Sequence, residues 1–180
     1  MKPFHLIQHE LPPAFRVQQA TIEDTQEIQH LLMQTARWLQ AQGSSQWSAL
    51  LEGQDVHGTS DAIARGNVFL FKDGDFIAGM VILLTEPSTW DMNLWGETGH
   101  EESIYVHRLA INRDYAGQGL GAKILAWIHQ GIAIEGKSNV RLDCIESNDA
   151  LYRFYNRFGM AYRGSVKGFH LFEQPQSHTH

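Results

Sequence analysis

Three glycines at alternate positions, Gly117, Gly119 and Gly121 in the stretch YAGQGLGAK, lie between an apolar run and a helical pattern. Without Cβ atoms such a loop takes positive φ and lets a ligand approach the backbone, while uncapped N–H groups at the helix start face whatever sits there. An anion suits that arrangement, and phosphate is the usual one. A connector with no ligand is the plain alternative; the strand before and the helix after favour phosphate. A Walker A loop would end in Gly-Lys-Ser/Thr, whereas Gly121 precedes Ala122 and Lys123, which argues against nucleotide triphosphate hydrolysis. A dinucleotide fold is a closer rival, because GQGLGA satisfies G-x-G-x-x-A and Asp143 follows downstream. Against it, five residues (112–116) separate the strand from the first glycine, Asp143 falls inside a strand, and one βαβ unit is visible.

Other residues offer chemistry of their own. His107 shares a strand face with Tyr105 by two-residue alternation, and an imidazole is the side chain best suited to exchange protons at neutral pH, so it is a candidate base. Glu102 is a second candidate, acting through water. Cys144 lies in a strand without a visible histidine partner and reads as a buried small apolar residue, not a nucleophile. Ten histidines raise the question of metal, yet there is no H-E-x-x-H and no C-x-x-C, and the terminal His-Thr-His reads as a chain end. No metal is expected.

The elements that must carry these groups are legible from periodicity. After a short extended stretch at 15–18, Thr21 opens a capping-box pattern (TIED), and Ile28, Leu31, Leu32, Thr35 and Leu39 recur at helical spacing until Gly43. Residues 44–65 predict one shorter helix ended by Gly66. Residues 68–71 and 76–84 are strands joined by KDGD, a hairpin signal. Residues 85–103 read as a long irregular excursion with Glu86, Asp91, Glu97, Glu101 and Glu102 and no Lys or Arg. IYVHRLAI at 104–111 is a strand. Ile124, Leu125, Ile128 and Ile132 predict a helix ending near Gly136, and 140–145 a strand. Asn148 starts a helix with Leu151, Phe154, Tyr155 and Phe158 on one face, stopped by Gly159, and 161–172 is a closing hairpin. The fold class is α/β (α+β): a mixed, mostly antiparallel sheet of about six to seven strands flanked by about four helices.

Charge and composition limit the partners. The chain has 180 residues, read as a single domain with a core from about 15 to 172, and 43% are hydrophobic. A net charge of -6 lacks the basic footprint of a nucleic-acid binder. The longest apolar run, FIAGMVILL, falls short of a membrane span, and MKPFHLIQHELPP lacks the pattern of a signal peptide. With one cysteine, no intrachain disulfide forms, and a cytoplasmic location is the expectation.

Taken together, HRLAINRDYAGQGLGAKIL and NDALYRFYNRFGM resemble the coenzyme A-binding core of the GNAT superfamily of N-acetyltransferases. In that family the first stretch carries R/Q-x-x-G-x-G/A; the second carries Asn-x-x-(Ala/Leu) followed by Tyr and Gly-Phe. Two positions depart from the pattern: Ala116 stands where Arg or Gln is usual, and Met160 replaces Phe after Gly159. Neither removes the backbone N–H groups of Gln118, Gly119, Leu120, Gly121 and Ala122, which are the phosphate donors the resemblance implies.

The resemblance implies acetyl transfer from acetyl-CoA to an amine. The pantetheine arm would pair with Leu109, Ala110 and Ile111, the pyrophosphate would sit on the glycine loop within reach of Gln118 and Lys123, and Asn148 would be a cofactor-side residue or plain N-cap. Tyr155 matches the family's proton donor to the leaving thiolate; otherwise it is one more aromatic of its helix stripe. Tyr105, Trp90 and Trp95 are expected on the acceptor side, where tryptophans can stack on a cationic amine. The acceptor is a small-molecule or peptide amine, and a homodimer is an allowed assembly. A non-catalytic coenzyme A-binding module is the alternative in a different class.

Overall fold

The structure is a computed structural model that describes residues 3–55 and 58–177; the terminal His-Thr-His lies outside the described residues. From the N-terminus run β1 (Phe4–Leu6), β2 (Glu10–Leu11), β3 (Phe15–Gln19) and α1 (Thr25–Ala41). Next come α2 (Ser48–Leu51), α3 (Thr59–Ala64), β4 (Val68–Asp73), β5 (Phe76–Leu84) and α4 (Thr89–Trp95). The chain continues through β6 (Ser103–Ile111), α5 (Leu120–Gln130), β7 (Ile132–Ile134), β8 (Asn139–Ile145), α6 (Asp149–Phe158), β9 (Ala161–Val166) and β10 (Phe169–Pro175). The expected fold class holds. The main sheet has eight strands, more than the six to seven expected, because the short β2 joins its edge.

Two compact units emerge. One comprises Gln8–Leu83 and His107–Leu125. Its strand order is β2-β3-β4-β5 followed by β6, antiparallel from β2 to β5. α1 starts after a 3-10 turn whose Thr21 N–H donates to Asp24 Oδ2 at 2.8 Å, the reciprocal cap that TIED predicts. Ile28, Leu31, Leu32, Thr35, Ala36 and Leu39 form its buried stripe. Leu32 is 2% exposed; its replacement by Ala would cost about 2–5 kcal/mol. The β4–β5 turn places Gly74 at φ 59, as Asp-Gly demands. Gly79 of β5 is needed for close approach: a Cβ there would lie 2.9 Å from Ile124 Cδ1 and 3.2 Å from the Ala110 carbonyl oxygen. Residues 44–65 hold two short helices, α2 and α3, not one.

The other unit comprises the described residues of Met1–Ile7, Leu84–Val106 and Ala126–His180. Here β6 pairs parallel with β8 from Ser103↔Asn139 to Tyr105↔Arg141, and β8 and β9 flank β10 antiparallel. Lys167 and Gly168, both at positive φ, close the β9–β10 hairpin. Two expectations are corrected in this unit. The excursion at 85–103 contains α4, whose Ser88 and Asp91 cap one another: Asp91 N–H donates to Ser88 Oγ at 3.2 Å, and Ser88 N–H to Asp91 Oδ2 at 2.9 Å. The helix predicted to run to Gly136 ends at Gln130. A Cβ on Gly131 would come within 2.2 Å of Trp127 Cδ1, so the chain passes that indole only as glycine. Ile132 and Ile134 then bury one face of β7, which is paired with β1. The spacing of Ile128 and Ile132 imitated one more helical turn.

Candidate active site

The glycine loop follows a 3-10 turn at Arg113–Tyr115, held by Asn112 Oδ1, which accepts from Asp114 N–H at 3.1 Å. Tyr115 Oη donates to Asp73 at 3.0 Å and so ties the loop's base to the β4–β5 hairpin. Gly117 and Gly119 have φ of 79 and 72, and a Cβ on either would meet nothing within 4 Å. The loop needs glycine for its backbone path and not to avoid a neighbour, and its outer surface is open. Lys123 N–H makes a first-turn bond of α5, to the Gly119 carbonyl at 3.2 Å. The amides of Leu120, Gly121 and Ala122 precede that rung and are the donors a helix start offers an anion. Gln118 and Ala122 are exposed, Lys123 half-buried, and Leu120 buried as the anchor of α5.

On β6, Ala110 is buried while Leu109 and Ile111 are partly exposed. Just before them Arg108 turns to φ 52 and breaks the regular strand. Its guanidinium, 2% exposed, lies 3.6 Å from Asp55 Oδ1 and over the ring of Trp47. Burial lowers the pKa of Arg108, and Asp55 opposes that shift. His107 is buried.

In the other unit the cap of α6 is Asn148, whose Oδ1 accepts from Leu151 N–H at 3.1 Å. Gly159 at φ 108 ends the helix. Tyr155 is the buried residue of α6 and packs on Phe172 with ring centroids 5.6 Å apart. Burial, then the neighbouring Cys144 and Asp143, push its phenol well above the ordinary range, so it holds its proton throughout the neutral range. Cys144 is buried and its thiol is pushed up to about 12, which removes it as a nucleophile at neutral pH.

Tyr105 is buried in a polar relay. His100 Nε2–H donates to the Gly96 carbonyl at 2.8 Å, so Nδ1 accepts from Tyr105 Oη, which itself accepts from Arg141 at 3.0 Å. Arg141 also donates to Gly99 O and Glu173 and lies over the ring of Trp95, 4.4 Å from its centroid. One face of Trp95, expected for an acceptor cation, thus carries the protein's own cation. Burial works against the charge of Glu173, but hydrogen bonds from Asn139, Arg141 and Arg163 leave its carboxyl below the ordinary range. Trp90 packs on Phe169 and donates to Asp143. Asp91, counted among the loop's acids, is the buried cap of α4, whereas Glu101 and Glu102 are exposed in the turn before β6.

The polar residues that sequence reasoning missed are Arg108, Arg141 and His100. An arginine inside the apolar run IYVHRLAI is a signal, since a buried guanidinium requires a partner. Arg141 and His100 carry none that one sequence reveals.

The family model for the Acetyltransferase (GNAT) family matches residues 26–160, spanning the glycine loop and all of α6. The chain belongs to that family. It is 47% identical over 175 residues, 97% of each chain, to "Uncharacterized N-acetyltransferase YesJ" of Bacillus subtilis (strain 168). A GNAT-family acetyltransferase structure from Listeria monocytogenes 4b F2365 is 35% identical, with TM-score 0.75 over 89% of this chain and 94% of that one. The PaiA N-acetyltransferase of Thermoplasma acidophilum, solved with coenzyme A, shares the fold at 15% identity and TM-score 0.67, over 90% of this chain and 99% of that one. Membership in the GNAT family removes the dinucleotide-fold rival. No helix among the described residues is long and apolar enough to cross a membrane.

Proposed function

We propose that this GNAT-family protein transfers the acetyl group of acetyl-CoA to a primary amine of a small molecule or peptide. The observation that carries the reading is the open glycine loop: Gly117 and Gly119 at positive φ, unobstructed to 4 Å, leading into a helix start. That cradle fits a diphosphate, with the amides of Gln118 to Ala122 as donors and Lys123 as a nearby cation. Leu109, Ala110 and Ile111 supply main-chain partners to an extended pantetheine arm.

Bound acetyl-CoA supplies an activated acyl group and a thiolate leaving group whose conjugate acid has a pKa of about 8.5. Tyr155, protonated throughout the neutral range, holds the proton on Oη and donates it to the departing sulfur. The amine must shed a proton as it attacks; His107 accepts it directly or Glu102 does through water. Asn148 acts as N-cap and orients α6. Tyr105, Trp90 and Trp95 shape the acceptor side. The reading includes a cytoplasmic protein with no nucleic-acid, membrane or metal partner, and allows a homodimer.

Release of free thiol from acetyl-CoA, measured over a panel of polyamines, amino acids, aminoglycosides and peptides, tests the reading. Amine-dependent thiol release is expected. Calorimetric binding of acetyl-CoA without turnover on any amine would support the non-catalytic module instead.

A further inference from the structure

We infer that Arg108 is a positioning residue for acetyl-CoA: its buried guanidinium, clasped by Trp47 and Asp55, locks a left-handed break in β6 and so aims the main chain of Leu109, Ala110 and Ile111. The inference rests on the acetyltransferase reading above and deepens it by naming what shapes the strand that receives the pantetheine arm.

Arg108 has φ 52 in the middle of β6. Only glycine adopts that conformation freely, so an arginine stays there because its surroundings hold it. A left-handed residue in a strand turns the peptides that follow it, and breaks of this kind re-aim groups beside binding sites. The ladder of β6 with β8 runs to Tyr105↔Arg141, and the break follows at Arg108. Beyond it the strand lies against β5. Asn112 N–H donates to the Ala78 carbonyl at 2.8 Å, and a Cβ on Gly79 would stand 3.2 Å from the Ala110 carbonyl oxygen. Leu109 and Ile111 are partly exposed there, while Ala110 is buried.

The side chain supplies the hold. Its Nη2 lies 3.6 Å from Asp55 Oδ1 and its Cζ 5.0 Å from the centre of the Trp47 ring. Among the described residues its Nε, buried, has no hydrogen-bond partner. Charge and stacking, more than hydrogen bonding, therefore locate the guanidinium. Both partners are anchored in turn. Trp47 stands at the start of α2, and Asp55 accepts from Thr59 N–H in the first turn of α3 at 2.8 Å. Straightening β6 at Arg108 would draw the cation away from Asp55 and leave a buried charge unpaired, which opposes the change. The segment carrying α2 and α3 thus fixes the backbone that Leu109 to Ile111 offer the cofactor.

Calorimetric titration of acetyl-CoA into the full chain tests this with two variants. Arg108→Met keeps much of the side-chain volume and loses the charge, so nothing opposes a return to ordinary φ. Arg108→Gly also loses the clasp, yet glycine adopts φ 52 freely. The expected Kd for acetyl-CoA is raised about 10-fold or more in Arg108→Met and about 3-fold or less in Arg108→Gly. A role confined to packing would weaken binding at least as much in Arg108→Gly, which leaves the larger void. That outcome, or unchanged affinity in Arg108→Met, overturns the assignment. Should either variant fail to fold, Asp55→Asn, which keeps an oxygen for the α3 cap, decides instead. A Kd raised about 3-fold or more is then expected, and an unchanged Kd overturns the assignment. Wild-type protein that does not bind acetyl-CoA sinks the acetyltransferase reading itself. Wild-type binding that Arg108→Met matches sinks only the role of Arg108.

Discussion

The Arg108 guanidinium lies 5.0 Å from the centre of the Trp47 ring, and both residues hold left-handed backbone conformations, φ 52 and 64. Two non-glycine residues in that region each carry a backbone cost of about 1 kcal/mol or more. Their mutual contact, with Asp55 as counter-ion, offsets it. Asp55 also caps α3, accepting from Thr59 N–H at 2.8 Å. Asp55→Asn leaves an oxygen for that cap and strips Arg108 of its counter-ion. We expect a loss of about 1–2 kcal/mol in urea titration, below the value for a fully buried pair because Asp55 is about a third exposed. Unchanged stability would mean that the pair contributes nothing.

Tyr155→Phe keeps the ring that packs on Phe172 and deletes the hydroxyl. kcat should fall about 100-fold or more while acetyl-CoA affinity by calorimetry stays within a factor of about two. The raised phenol also predicts no alkaline limb from this residue below about pH 9. Wild-type turnover in the variant would take Tyr155 out of the chemistry.

Two glycine-to-alanine changes should separate loop function from packing. At Gly119 the added methyl meets open space but opposes φ 72, so the loop shifts and KM for acetyl-CoA rises, with only about 1 kcal/mol of stability lost. At Gly79 the methyl meets Ile124 and the Ala110 carbonyl, and a larger loss of about 1–3 kcal/mol follows. Thermal melts and acetyl-CoA titrations of both variants check this; equal effects on both readouts would contradict it.

Alkaline stability should fall in a defined window. Burial raises the Cys144 thiol from 9.0 to about 12 in the folded chain. Its raised folded value means that the stabilisation is complete below pH 9 and is lost as pH climbs toward 12. Cys144→Ala should flatten the start of that decline and leave the later part, which begins near pH 10 with Tyr155. The wild-type thiol should stay unreactive toward a disulfide reagent until the protein unfolds. Rapid labelling of the native protein would contradict the burial.

Local chemistry decided what could be read from the sequence. TIED, Asp-Gly at 73–74 and Asn148 each act within four residues, and the elements they define appear where their spacing puts them. The glycine loop was legible for the same reason: its φ values and its helix start are local properties. The capping pattern Ser88-x-x-Asp91 was equally local but lay hidden in a stretch read for its charge. Distant contacts were not legible. Nothing near Gly131 tells that Trp127 fills the space beside it, so β7 looked like helix. The partners of Arg141, namely Tyr105, Glu173 and the Trp95 ring, come from three separate segments, and its place became known only from the fold.

The ribbon formed by β1 and β7 bears on how the protein is handled. Phe4–Leu6 covers Ile132–Ile134, and two further main-chain bonds of 2.9 Å, Ile7 N–H to Gly131 O and Glu135 N–H to Pro3 O, extend the seam at either end. Clipping the first seven residues would strip β7 of its only partner in that two-stranded sheet. The bared amides would then be a template for another molecule's strand, so a tag-removal site that trims into this segment invites self-association during purification.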